Sequence, residues 1–372
     1  MLLGSKKILA AVVGSSAACV GSLLCPSSSH CDAHLEATGV PAFSATYPAN
    51  DPSEDRSVVA CLKLPPVGTT VGAAALCGVK MVGVFDGHGG WQVSDFVVSN
   101  VVDVVTRHLG LLEGRTDEQS VSGALRGSYA ELEGRYKEGV RQSYAYGFGA
   151  VAKVGCCALV CVRVGDRLSF ANAGDCRAVV GSATADGGDD FRAVRITRDH
   201  NAREPLEVLR LMAEHPGESQ ASLIRCKNPH ACYVKGRLQL TRALGDAYLK
   251  YPDYNAPPGQ HRDRGRHIPA PYTPPYVGAV PQIHHLALQT KRDRFLVLAS
   301  DGVWDYLSDQ DAVDVVSRAR RDGECPATAI KTAALTKAAE ECGLTLPELL
   351  QFPPGRQRRG RHDDTTAVVL DL

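Results

Sequence analysis

Met81-Val82-Gly83-Val84-Phe85-Asp86-Gly87-His88-Gly89-Gly90 is an apolar, β-branched run that ends abruptly in a carboxylate, an imidazole and glycines. The run reads as a buried strand and its end as a place for chemistry. Glycine carries no Cβ, so the backbone can turn sharply and bring its own carbonyls, with the Asp86 carboxylate, against a ligand. Hard cations such as Mg²⁺ and Mn²⁺ take oxygen donors of this kind. A strand ending in Asp-Gly is by itself an ordinary turn. The functional reading therefore requires partners elsewhere in the chain.

Those partners stand at other strand ends. Phe295-Leu296-Val297-Leu298-Ala299-Ser300-Asp301-Gly302 repeats the pattern, with Trp304-Asp305 directly after it. His362-Asp363-Asp364-Thr365-Thr366 leads into the apolar strand Ala367 to Leu370. Glu54-Asp55 precede a strand from Val58 to Leu62, and Asn172-Ala173-Gly174-Asp175 follow one around Leu168 to Ala171. Carboxylates gathered in this way repel one another unless positive charge sits between them, so bound divalent cations are the natural resolution.

Asp86 to Gly90, Asn172 to Arg177, Leu240-Thr241-Arg242-Ala243-Leu244-Gly245-Asp246, Ala299 to Asp305 and Asp363-Asp364 follow one another as they do in metal-dependent protein phosphatases of the type 2C family, which this chain resembles from about residue 43 to its end. Within the family, Ala49 to Arg56 and Tyr272-Thr273-Pro274-Pro275-Tyr276 resemble the pyruvate dehydrogenase phosphatase branch, whereas Gly236 to Lys250 is similar to a plant group. The resemblance implies serine/threonine dephosphorylation at two Mg²⁺ or Mn²⁺ ions, with a third ion in some members. It makes Asp86 the bridging ligand, adds the Gly87 carbonyl, and gives Asp301 and Asp363 to the second ion. Glu54 and Asp55 would hold metal-bound waters, Asp175 and Asp305 match the third position, and His88 would protonate the departing oxygen. The partner implied is a phosphoprotein.

Two positions depart from the family pattern. Asn50 stands where many members place an arginine that grips the phosphate, which leaves Arg242 as a weak candidate for that task. Asp364 stands where asparagine is common, beside the retained Asp363. The alternative function is a pseudophosphatase acting as a regulatory binding module, a reading that predicts lost metal ligands. A two-metal enzyme for phosphodiesters or small phosphomonoesters is a further rival.

Composition frames the rest: 372 residues, 44% hydrophobic, 22% charged and a formal net charge of +0 suit one sizeable globular domain and give no electrostatic case for nucleic acid. The thirteen cysteines are scattered without CxxC spacing, which disfavours zinc and points to thiols in a reducing compartment. Residues 1–42 carry Lys6 and Lys7 before an apolar serine-alanine-glycine mixture with no acid before Asp32, and read as a targeting segment or membrane anchor outside the fold of residues 43–372. A mitochondrial address is expected, with membrane anchorage or the secretory pathway as the alternative, and any membrane contact confined to residues 1–25.

Helical spacing marks Trp91 to His108, Ser120 to Tyr136, Arg203 to Glu214, Asp309 to Arg321 and Pro326 to Cys342. Leu206, Leu209 and Met212 recur at that spacing, and His200 and His215 read as helix-end or surface histidines. Val154 to Val164, Leu168 to Ala171 and Ala178 to Val180 read as an antiparallel meander with a tight turn at Gly165-Asp166. Tyr251 to Pro281, rich in proline, reads as a surface excursion, its His261 to His267 cluster and the later Arg356, Arg358, Arg359 and Arg361 as basic loops. The class expected is α+β: a β-sandwich of two antiparallel sheets flanked by helices, in α-β-β-α layers.

Overall fold

The computed structural model describes residues 32–33, 41–64, 77–229, 231–255 and 267–372. Almost all of the 1–42 segment, the Pro65-Pro66 turn and the basic cluster up to Arg266 lie outside the described residues. The described strands are β1 (Asp32–Ala33), β2 (Ala42–Tyr47), β3 (Asp55–Lys63), β4 (Cys77–His88), β5 (Gly155–Val164), β6 (Arg167–Ala173), β7 (Arg177–Ala183), β8 (Phe191–Arg195), β9 (Ile224–Asn228), β10 (Ala231–Val234), β11 (Leu244–Gly245), β12 (Gln282–Ala287), β13 (Asp293–Ala299) and β14 (Thr365–Asp371).

One sheet has the order β1-β2-β14-β13-β7-β8 and the other β12-β6-β5-β4-β3, with β11 also pairing β5. Neighbours in both sheets are antiparallel. Side chains alternate between the two faces of a strand, and the core divides accordingly. Val82 and Val84 of β4 and Leu159 and Cys161 of β5 pack between the sheets with Leu296, Leu298, Val368 and Leu370. The other faces of β4 and β5, carrying Met81, Phe85, Ala158 and Val160, lie under helices Gln92–Gly110 and Glu118–Ala145. Helices Asp309–Asp322 and Pro326–Glu341 cover Phe295, Val297 and Val369 on the second sheet. The four layers agree with the expected class. Each fully buried phenylalanine, such as Phe85, Phe170 or Phe295, contributes roughly 1.5–3 kcal/mol.

The expected meander does not close. β5 and β6 pair through the Gly165-Asp166 turn, but β7 belongs to the opposite sheet. Both faces of these strands are buried, so no alternation in the sequence tells which sheet they join. Helix Pro205–Glu214 is turned the other way from the expectation: Leu206, Leu209 and Met212 are exposed, while Leu211 and Glu207 are buried. Glu207 faces inward because it accepts from Thr241 Oγ1 at 2.7 Å and from Arg242 Nη2 at 2.8 Å.

His200 and His215 are buried and not on the surface, although His215 does stand at a helix end, as the C-cap of Pro205–Glu214. The proline-rich stretch likewise contributes Tyr254, Ile268, Tyr276 and Val277 to the core. Cys226 and Cys232 form a disulfide across the β9–β10 hairpin, a pairing that six residues of separation did not advertise. Cys156, Cys157 and Cys161 are buried thiols, as their apolar strand implies, and Cys176 is a further one.

Candidate metal centre

Asp86 occupies the next inward position of β4 after Val82 and Val84, so the row that fills the inter-sheet core ends in a carboxylate. Asp55 of β3 lies directly opposite it on one side, and Cys157 of β5 on the other. Ser300 precedes the short helix Asp301–Trp304 and donates from Oγ to Asp55 Oδ2 at 2.8 Å, tying the end of β13 to β3 across the sandwich. Asp55 Oδ1 and Asp301 Oδ1 are buried with no hydrogen-bond partner.

The carboxyls are coupled by mutual repulsion. Burial, followed by the charges of Asp301 and Asp55, pushes Asp86 well above the usual carboxylate range. Burial and the charges of Asp175, Asp363, Asp305 and Asp55 do the same to Asp301. Glu54 is raised to about 7 by burial and by Asp364 and Asp363, and Asp305 to about 6 by burial and Asp175. Asp363 is raised by burial against the pull of Arg359. Orphaned oxygens among mutually repelling buried carboxylates fit divalent cations, and oxygen donors suit hard ones. One donor atom each of Asp86, Cys157 and Asp175 lies within 4.8 Å of the others.

Asp364, which the sequence marked only as a departure, is a structural anchor. Its carboxylate accepts from Ala49 N at 2.5 Å, Asn50 N at 2.9 Å, Asn50 Nδ2 at 3.2 Å and Glu54 N at 2.5 Å. The loop that carries Glu54 into the site is thus wrapped around one side chain that stands directly before β14. Asn50 is engaged there, turned toward Asp364 and Glu54. Gly87 N donates to Glu54 O at 3.1 Å and Ser94 Oγ to the same oxygen at 2.5 Å, which fixes the loop from the other side.

His88 closes β4 with Nε2 at 2.7 Å from Asp246 Oδ2. Burial pulls its pKa down, but the charge and hydrogen bond of Asp246 outweigh that and raise it above the ordinary value. A Cβ on Gly155 would lie 2.1 Å from Asp246 Oδ2 and 2.3 Å from His88 Nε2, so a residue without a side chain is required there. Asp246 itself sits at φ 50°, held by its neighbours: Glu133 accepts from Gly245 N at 2.9 Å and from Lys250 Nζ at 2.9 Å. In the sequence Asp246 is part of a motif with no evident role; the spacing of a motif carries no sign of which side chain it will face.

The cations near the site differ in their freedom. Arg242 is taken up by Glu207 and donates to Val280 O, leaving a weak candidate weaker. Arg177 pairs with Asp199 and Asp309. Arg358 is buried and donates to Pro48 O and Phe352 O. Arg359, on the short helix Arg356–Arg359, is 47% exposed and places Nη2 2.5 Å from Asp363 Oδ2. In the sequence it is only one arginine of a basic loop.

Residues 72–343 match the family model described as Protein phosphatase 2C. The chain is 34% identical over 293 residues to "Probable protein phosphatase 2C 67" of Arabidopsis thaliana, covering 78% of this chain and 74% of the relative. It is also 34% identical over 295 residues to "Probable protein phosphatase 2C 61" of Oryza sativa subsp. japonica, covering 79% and 75%. Among solved structures, serine-threonine phosphatase 2C from Toxoplasma gondii superposes with a TM-score of 0.57 at 19% identity, over 89% of this chain and 94% of that one. A C. elegans sex determining protein superposes with a TM-score of 0.59 at 19% identity, over 90% and 65%. At that identity the two structures bear on the fold alone.

Proposed function

Because this chain belongs to the protein phosphatase 2C family, we propose that it hydrolyses phosphoserine and phosphothreonine in proteins at a binuclear Mg²⁺ or Mn²⁺ centre. The observation that carries the reading is the mutual charge pressure on Asp86, Asp301 and Asp363, with buried oxygens of Asp55 and Asp301 left without partners. Asp86 would bridge the two ions, the Gly87 carbonyl would join it, and Asp301 with Asp363 would complete the second position. Glu54 and Asp55 are suited to hold water around them, and Asp175 and Asp305 to hold a third ion. Ions bound there supply Lewis acidity that activates water and neutralises phosphoryl charge.

The remaining steps belong to the chain's own side chains. Arg359 stands exposed beside Asp363 and is the cation we assign to the substrate phosphate, in place of Arg242. Asp246 engages His88 Nε2 and favours the protonated ring, whose Nδ1 is then placed to give a proton to the departing serine or threonine oxygen. The alternative of a regulatory binding module predicts lost ligands, yet Asp86, Asp301 and Asp363 are all present.

Phosphate release from a phosphothreonine peptide by the full-length protein in Mn²⁺, abolished by EDTA, is the expected result. No release from several peptides with either metal would favour the binding module, and release from a phosphodiester alone would favour the small-substrate rival. The pyruvate dehydrogenase phosphatase-like specificity rests on Ala49 to Arg56 and Tyr272 to Tyr276, and phosphorylated pyruvate dehydrogenase in the same assay tests it.

A further inference from the structure

Cys157 sits where a hard-metal centre has no need of sulfur. Asp55 and Asp86 are register partners across β3 and β4, and Asp86 and Cys157 across β4 and β5, so the three side chains leave the sheet on one face. Strand alternation sends Cys157 inward with Leu159 and Cys161, whereas Cys156 packs in the layer beneath the helices. A Cβ on Gly174 would lie 2.4 Å from Cys157 Cβ and 2.5 Å from its Sγ, at a backbone φ of +133°. The missing side chain lets the thiol close on the following turn, where Sγ donates to Asp175 Oδ1 at 3.2 Å. In the same row, Asp55 is 3% exposed and its Oδ1 has no hydrogen-bond partner, an acceptor that asks for a cation.

We propose that Cys157 Sγ, with oxygens of Asp86 and Asp175, forms a site for a thiophilic divalent ion of the Zn²⁺ or Cd²⁺ type. The inference rests on reading the acidic cluster as a metal centre. Oxygen donors alone suit Mg²⁺ and Mn²⁺, and a thiolate added to them shifts preference toward softer ions. Binding exchanges a proton for the ion: the Sγ–H proton leaves to solvent and the sulfur lone pair forms the coordinate bond, with no change of oxidation state. Because Asp86 belongs to both sets, the soft ion and the hard ions compete.

The test is a Cd²⁺ titration of metal-stripped, full-length protein, followed by the ultraviolet sulfur-to-cadmium charge-transfer band. Wild type is expected to develop a component that Cys157→Ser lacks and that Cys61→Ser and Cys342→Ser retain. Excess Mn²⁺ should move its midpoint to higher Cd²⁺. Asp175→Asn keeps the sulfur and should weaken the midpoint roughly tenfold or more. A Cys157→Ser titration superimposable on wild type overturns the proposal; so does an unchanged midpoint in Asp175→Asn, which decides the matter should Cys157→Ser fail to fold. The absorption needs no turnover, so a protein that shows the band but releases no phosphate would count against the phosphatase reading and not against this site.

Discussion

Glu54 N lies 2.5 Å from Asp364 Oδ2, although 310 residues separate the two in the chain. A buried carboxylate that gathers donors from Ala49, Asn50 and Glu54 is the seam between the two ends of the domain. Charged acceptors of this kind are worth more than neutral ones, and removing one strands its donors.

Asp364→Ala should therefore destabilise the fold by about 3 kcal/mol, read as a lowered urea midpoint with unchanged slope. Mn²⁺ affinity should fall with it, because the Glu54 loop loses its anchor. A variant as stable as wild type would show that the loop is held from the Ser94 side alone.

Asp246→Asn keeps a hydrogen-bonding group beside His88 Nε2 but removes the charge that raises its pKa. Turnover of a phosphothreonine peptide should drop by roughly 10²-fold or more. An aryl phosphate, whose leaving group needs no proton, should be affected far less. Equal losses on both substrates would take the proton-donor role away from His88.

Asp86→Asn and Asp301→Asn each remove one proposed ligand and relieve charge repulsion in the metal-free protein. Peptide turnover in Mn²⁺ should fall by about two orders of magnitude or more, with weakened Mn²⁺ binding in calorimetry. Metal-free stability should rise relative to wild type. Added Mn²⁺ should raise the wild-type melting temperature and leave that of Asp301→Asn nearly unmoved.

Arg359→Ala should raise KM for the phosphopeptide about tenfold and weaken inhibition by inorganic phosphate in parallel, with Arg359→Lys intermediate. An unchanged KM would assign the exposed guanidinium to the Asp363 ion pair alone.

His200 is held at about 4, below its ordinary value, by burial and then by the positive charge of Arg242. Nδ1 accepts from Gly174 N at 3.2 Å and Nε2 donates to Gln282 Oε1 at 3.0 Å, a pattern only the neutral ring satisfies. Between pH 6.5 and 4 the unfolded chain takes up a proton that the folded one refuses, so this contribution is present above that window and lost as pH falls through it, by up to ~3 kcal/mol. Urea midpoints measured across that range should slope less in His200→Gln.

The layers were legible because apolar runs ending in Asp-Gly repeat at β4 and β13, and because the covering helices carry apolar residues at helical spacing. The acids gathered around Asp86 were legible as strand ends. What escaped was whatever depends on partners distant in sequence. The sheet to which β7 belongs, the inward face of helix Pro205–Glu214 and the pairing of His88 with Asp246 are decided by contacts that no local period encodes. Asp364 was the sharpest case, since a buried carboxylate surrounded by backbone N–H groups leaves no trace in its own neighbours.

The position of β14 between β2 and β13 has a bearing on biosynthesis. β14 follows both of its neighbours in the chain yet lies between them, so until it is made β2 and β13 expose facing edges that can pair with other chains. Asp363 and Asp364 emerge with it. A chain cut before Asp363 and β14 would carry most of the core yet lack Asp363 and the carboxylate that anchors the Glu54 loop, so the acidic cluster is completed only when this strand is in place.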